Sequence, residues 1–155
     1  MKTCAFTGHR QLPKGAEEKL RDLLRRGISY VYGEGVRDFY AGGALGFDML
    51  AEEEVVSFRE AHPDVRLHLV LPHRGQAQSW RLPEVRRYQG LLSEADSVRY
   101  LSAFYYNGVM KERNATLIEE ADACIAYLTH GGGSGQTVAM AREKGIPVYN
   151  LADGF

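Results

Sequence analysis

Four short segments combine glycine or proline with side chains able to grip an anion or a base. They are Thr7-Gly8-His9-Arg10, Gly42-Gly43-Ala44-Leu45-Gly46-Phe47-Asp48, the polar stretch from Pro72 through Gln76 to Trp80, and Gly131-Gly132-Gly133-Ser134-Gly135-Gln136-Thr137. Glycine lets the backbone approach a ligand closely and adopt positive φ. Where such a turn opens a helix, the unpaired N–H groups and the positive dipole end suit a phosphate. A single glycine cluster is better explained as a simple turn. Two clusters, each ahead of a helical pattern, favour an anion site. Neither is a strict nucleotide fingerprint. Gly8-His9-Arg10 is not G-x-G-x-x-G, and no G-x-x-x-x-G-K-[ST] occurs, which argues against a standard dinucleotide dehydrogenase and a P-loop NTPase.

Charged and aromatic residues within these segments set the chemistry. Arg10 follows a strand end directly, so phosphate neutralisation is favoured over a surface ion pair. His9 fits a ligand contact or a polar cap of the sheet equally. Asp48 opens a helix and either compensates its dipole or binds a ribose hydroxyl. Trp80, the only tryptophan, has two readings, core packing and stacking on a base. In the run Phe104-Tyr105-Tyr106-Asn107, Phe104 reads as core and Tyr106 stays open as core or pocket wall. Arg81, Arg86 and Arg87 read as a solvated helix face. The histidines are scattered with no metal spacing, so no metal site is expected.

The elements that position these residues follow from periodicity. Apolar runs at 2–7, 37–41, 65–71, 98–101, 123–128 and 146–151 read as strands. Helical spacing runs from Pro13-Gly15 to Gly33, from Phe47 to Phe58 before His62-Pro63, from Pro83 to about Ala95, over 106–121, and from the Gly131–Gly135 cluster to Lys144. Strands alternating with helices imply right-handed crossovers and a mainly parallel sheet. In such a sheet ligands bind beyond the carboxyl ends of the strands, which is where the four segments fall.

Composition narrows the class. The chain has 155 residues, 45% hydrophobic and 25% charged, which fits one α/β domain over 1–155. A net charge of -1 argues against nucleic acid as the main partner. No apolar run is long enough to cross a bilayer, and no signal peptide is evident. Both cysteines, Cys4 and Cys124, lie in apolar stretches and read as buried free thiols, so a cytoplasmic location is expected.

Taken together, T-G-H-R, G-G-A-L-G-F-D, P-H-x-x-Q-x-x-x-W, R-N and the late Gly-Gly-Ser loop resemble the YpsA-like branch of the SLOG superfamily. That superfamily also contains the Lonely Guy phosphoribohydrolases and the DNA-processing protein DprA. The resemblance covers nearly the whole chain. It implies a Rossmann-like three-layer sandwich, a nucleotide-derived ligand and frequent homo-oligomers. Met110-Lys111-Glu112-Arg113-Asn114 is similar to the Lonely Guy segment that supplies a catalytic arginine, which falls on Arg113. Gly132-Gly133-Ser134-Gly135 is similar to the P-G-G-x-G-T loop of those enzymes. Their catalytic glutamate is replaced here by Ala139, and glycosidic cleavage normally needs a carboxylate near the ribose.

The expected ligand set is Gly8, His9, Arg10, Gly42, Gly43, Gly46, Asp48, Pro72, Gln76, Trp80, Arg113, Asn114, Gly132, Gly133, Ser134, Gly135 and Thr137. Within it, amides at Gly8, Gly43 and Gly132–Gly135 would hold phosphate, and Asp48 or Thr137 ribose hydroxyls. The leading expectation is a sensor or regulatory protein that binds an ADP-ribose, NAD or nucleoside monophosphate type of ligand. A nucleotide N-glycosidase is the alternative, with Arg113, Glu112 and Asp48 as catalytic candidates. A DprA-like binder of single-stranded nucleic acid ranks third.

Overall fold

The computed structural model describes residues 1–155 as six strands alternating with five helices. The order is β1 Thr3–Gly8, α1 Glu17–Gly33, β2 Asp38–Ala41, α2 Phe47–Ala61, β3 Arg66–His73, α3 Leu82–Glu94, β4 Ser97–Ser102, α4 Val109–Glu119, β5 Ala123–Tyr127, α5 Gly133–Lys144 and β6 Val148–Asn150. A 3-10 turn over Leu151–Asp153 follows β6. All strand pairs are parallel, in the order β4-β3-β2-β1-β5-β6. The expected α/β three-layer sandwich is therefore present. No helix is long and apolar enough to cross a membrane.

The strand order dictates the layers. From β1 to β4 the chain steps in one direction, and right-handed crossovers put α1, α2 and α3 on one face. From β4 the chain returns to the far side of β1, which puts α4 and α5 on the other face. The buried clusters follow this division. Phe6, Phe39, Leu67, Leu69 and Ile125 pack with α1–α3 residues, whereas Ala5, Cys124 and Ala126 pack with Leu117, Ile118, Val138 and Ala141 of α4 and α5. On β1 and β5, alternation sends Phe6 and Ile125 to the α1–α3 face and only Ala5, Cys124 and Ala126 to the face that α5 covers. Both thiols are free and buried. The direction of winding reverses between β1 and β5, which opens a crevice at their carboxyl ends.

Most element ends shift by a residue or two from the sequence reading, and three differences have a physical cause. The fourth helix begins at Val109 and not at 106, because Gly108 adopts φ 96° and caps it from outside the helical region. The last strand is only Val148–Asn150, since the Asn150 side chain accepts from Ala152 N and starts the 3-10 turn. Phe104 is no core residue: it is 81% exposed in the loop between β4 and α4. An aromatic run gives an apolar signal, but β4 is an edge strand with no layer beyond it to receive the ring.

Candidate functional site

A cleft of about 400 Å³ occupies the crevice between the ends of β1 and β5. Its floor is Thr7-Gly8-His9-Arg10, one wall is Ala44 and Asp48, the opposite wall is Met110, Arg113, Asn114 and Leu117, and its rim is His130 to Ser134. The lining is mainly polar. A second hollow of about 200 Å³ lies between α1 and the last turn, lined chiefly by apolar residues such as Leu20, Leu23 and Leu151. Its polar lining side chains are Lys19 and Thr129, with the phenol of Tyr127.

The rim supplies donors. Helix α5 starts at Gly133 with Gly132 at φ 124° as its N-cap, and no side chain caps it. The first bond back into the helix comes from Gln136 N to Gly132 O at 3.0 Å, so the amides of Gly133, Ser134 and Gly135 precede any intrahelical partner. The positive end of the helix dipole faces the same space. Arg10 is exposed and joins no ion pair, in contrast with the arginines of α1–α3 that bind Glu53 and Glu54. Helix α5 carries no acidic residue in its first turn.

Arg113 is only 5% exposed although it is an arginine. Its Nη1 donates to the Gly42 carbonyl at 2.6 Å and its Nε donates to Asn114 Oδ1 at 2.8 Å. The guanidinium still lines the cleft, which leaves Nη2 for a ligand. Burial lowers its pKa from the usual arginine range, and the neighbouring Asp48 opposes that shift. Asp48 is also buried and lines the cleft. Burial raises its carboxyl above the usual range, and Arg113 pulls the other way. Its Oδ2 accepts from Ala44 N at 3.3 Å.

His9 ties the two strand ends together. Thr129 N donates to His9 Nε2 at 2.9 Å, so the imidazole accepts there and carries its proton on Nδ1. The ring stacks on His130 at 4.0 Å and 6°. Burial lowers its pKa, and His130 lowers it further. His9 thus holds the β5–α5 connection in place over the cleft.

The expected residues therefore divide. Gly8, His9, Arg10, Asp48, Arg113, Asn114, Gly132, Gly133 and Ser134 line one cleft. Others stand behind it. The Gly43 amide, expected to hold phosphate, already donates to Glu52 Oε2 at 3.0 Å, and its carbonyl accepts from Gln76 Nε2 at 3.2 Å. Gly42 is engaged by Arg113. Gly46 supports the backbone crossing between β1 and α2, where Phe47 N donates to His9 O at 3.0 Å. Gly135 lies one residue past the rim, at the first turn of α5. Thr137 donates back to Gly133 O at 3.2 Å inside α5. Pro72 is buried within β3, which continues through it to His73. Trp80 packs edge-on against Tyr88 at 5.1 Å, joins the core and does not line the cleft. Of the catalytic candidates, Glu112 is exposed on α4, bonded to the Tyr106 hydroxyl and outside the cleft lining, while Arg113 and Asp48 line it.

Sequence reasoning overlooked Glu52 and His130. Glu52 sits in the run Glu52-Glu53-Glu54, which reads as a solvated face, yet it is fully buried. Its spacing of four from Asp48 puts both carboxyls on one face of α2, which was the available signal. His130 was visible only as a neighbour of the glycine cluster.

Comparison with known proteins agrees with this architecture. The chain is 26% identical over 148 residues to a UPF0398 protein of Bacillus velezensis, covering 90% of this chain and 77% of the relative. It is 27% identical over 165 residues to a UPF0398 protein of Bacillus thuringiensis, covering 100% and 90%. The X-ray structure of TM1055, a structural genomics target, superposes with a TM-score of 0.61 at 19% identity over 96% of this chain and 72% of that one, which shows a shared fold. The model of the YspA SLOG family matches residues 8–142, from the glycine that ends β1 into the last turns of α5, and the chain belongs to that family.

Proposed function

We propose that this cleft binds the phosphate of a nucleotide-derived ligand of the ADP-ribose, NAD or nucleoside monophosphate type, and that the protein acts as a sensor or regulatory binding protein. The observation that carries the reading is the meeting, in one cleft, of the uncapped α5 N-terminus with two arginines, the exposed Arg10 that joins no ion pair and the buried Arg113 whose Nη2 is unbonded. Amides before the first intrahelical bond accept an anion without losing bonds of their own. Arg113 is fixed at Gly42 and Asn114, so little side-chain entropy is lost when it engages a phosphate. Asp48, on the wall opposite α4, is the acceptor for a ribose hydroxyl.

Binding is favoured over cleavage because Ala139 is exposed on α5 and no carboxylate replaces it there. The reading is tested by a thermal-shift screen over AMP, NAD and ADP-ribose. At ~100 times its dissociation constant a ligand stabilises by about 2.7 kcal/mol. At least one of the three is expected to raise the melting temperature. No shift with any of them overturns the proposal. Release of free base during incubation would transfer the assignment to an N-glycosidase with Asp48 as its acid–base group.

A further inference from the structure

The Gly42–Gly43–Ala44 turn is held by buried side chains from three elements. Arg113 of α4 takes the Gly42 carbonyl, Asp48 and Glu52 of α2 take the Ala44 and Gly43 amides, and Gln76, just after β3, takes the Gly43 carbonyl. Behind this turn three buried polar atoms have no partner: Glu52 Oε1, Gln76 Oε1 and Tyr88 Oη. They belong to groups that converge on Gly43. A Cβ at that glycine would lie 3.3 Å from Gln76 Nε2 and 3.4 Å from the Tyr88 ring, while Glu52 Oε2 already accepts its amide at 3.0 Å.

Glu52 forms no salt bridge, and its side chain makes one hydrogen bond, the one that Oε2 accepts from Gly43 N; Oε1 is buried and bare. If Glu52 is ionised, a full charge sits in the core beside Asp48 on a carboxylate with one oxygen unpaired. If Oε1 carries a proton, no charge is buried.

We propose that Glu52 is held as a neutral carboxylic acid, and that this uncharged side chain, through its bond to the Gly43 amide, positions the Gly42–Ala44 turn and, through the Gly42 carbonyl, the Arg113 guanidinium. Glu52 is thus a positioning residue that never touches ligand. The charged groups around it agree with neutrality. Asp48 and Glu53 of its own helix repel a charge there, the Gly43 amide and Arg113 of α4 favour it, and Tyr88 of α3 contributes a neutral phenol. Burial is the largest influence and pushes the carboxyl well above its usual range. The neutrality of Glu52 stands independently of any ligand; only its effect on Arg113 rests on the proposed function.

Two measurements on the unliganded protein test the neutral acid. The infrared spectrum at neutral pH should contain a protonated-carboxyl band that Glu52→Gln lacks. Stability against pH gives the second. The folded pKa is raised, so the stabilisation is complete below the unfolded value and is lost as pH rises through the folded one. Wild type should therefore lose stability toward alkaline pH relative to Glu52→Gln, which has no proton to release. A third arm uses AMP as the probe. Glu52→Gln keeps an uncharged acceptor for Gly43 N, so affinity should stay within about threefold, while Glu52→Ala should lose at least about tenfold. An unchanged infrared difference, superimposable pH profiles, or equal losses in the Gln and Ala variants would overturn the proposal. If wild type binds no AMP, the first two arms still decide the state of Glu52.

Discussion

Arg113→Ala is expected to abolish nucleotide binding and to destabilise the fold by about 3 kcal/mol, at the lower end of the cost of breaking a buried charge network. The residue has two jobs that no other side chain shares. It satisfies the buried Gly42 carbonyl at 2.6 Å, and it is the buried cation facing Asp48. Truncation leaves that carbonyl without a donor and Asp48 without its nearest counter-charge. Asp48 can respond by taking up a proton, since burial already raises its pKa. That response places the loss near the lower end. For a chain of this size the melting temperature should fall by roughly 6–12 °C. Arg113→Lys separates the roles. It keeps the charge but loses the planar fork that reaches Gly42 and Asn114 together. Its stability should fall less than that of the alanine variant, while its affinity for AMP falls at least about tenfold. Equal stability of wild type and Arg113→Ala in a denaturant titration would refute the structural role.

Gly46→Ala should cost about 3–5 kcal/mol, the sum of a forced left-handed backbone and an overpacked contact. Gly46 sits at φ 77°, and a Cβ there would lie 2.2 Å from the Arg10 carbonyl oxygen. Neither atom can yield, because the oxygen belongs to the backbone and the Cβ position is fixed by it. The clash lies at the crossing where Phe47 N donates to His9 O, so it should also shift Arg10 and His9 at the cleft floor. The expected result is a large drop in melting temperature together with weakened ligand binding. Gly90→Ala provides the contrast. That glycine is exposed within α3, with open space around it, and the substitution should stabilise by about 0.5–1 kcal/mol. Similar melting temperatures for the two variants would contradict the account.

The alternation of strands and helices was legible from the chain alone because apolar periodicity reports which face of an element is buried. The parallel order followed from crossover handedness, and the cleft from the position of Gly8 and Gly132–Gly135 at strand ends. Periodicity does not report partners. It could not show that the Gly43 amide is spent on Glu52, or that Gln76 is a brace behind the cleft. It misled at Phe104, where an apolar ring meets an uncovered sheet edge. It also hid Glu52 among charged neighbours, because α2 is enclosed by the sheet, α1 and α3 and buries polar positions along with apolar ones. Arg113 was identified by its resemblance to a family motif, and its burial became apparent only in three dimensions. The two glycine-rich turns look alike in sequence but do different work. The one before α2 braces the site, and the one before α5 offers its amides to the cleft.

The central claim is that a nucleotide phosphate sits at the N-terminus of α5 between Arg10 and Arg113. An amide-resolved NMR titration of the 15N-labelled protein with AMP and ADP-ribose tests it most directly. Saturable shifts are expected at Gly132, Gly133, Ser134 and Gly135, with smaller shifts at Gly8 to Arg10 and almost none at Gly43, whose amide stays bonded to Glu52. Shifts concentrated at Gly43, or confined to residues outside the cleft, would contradict it.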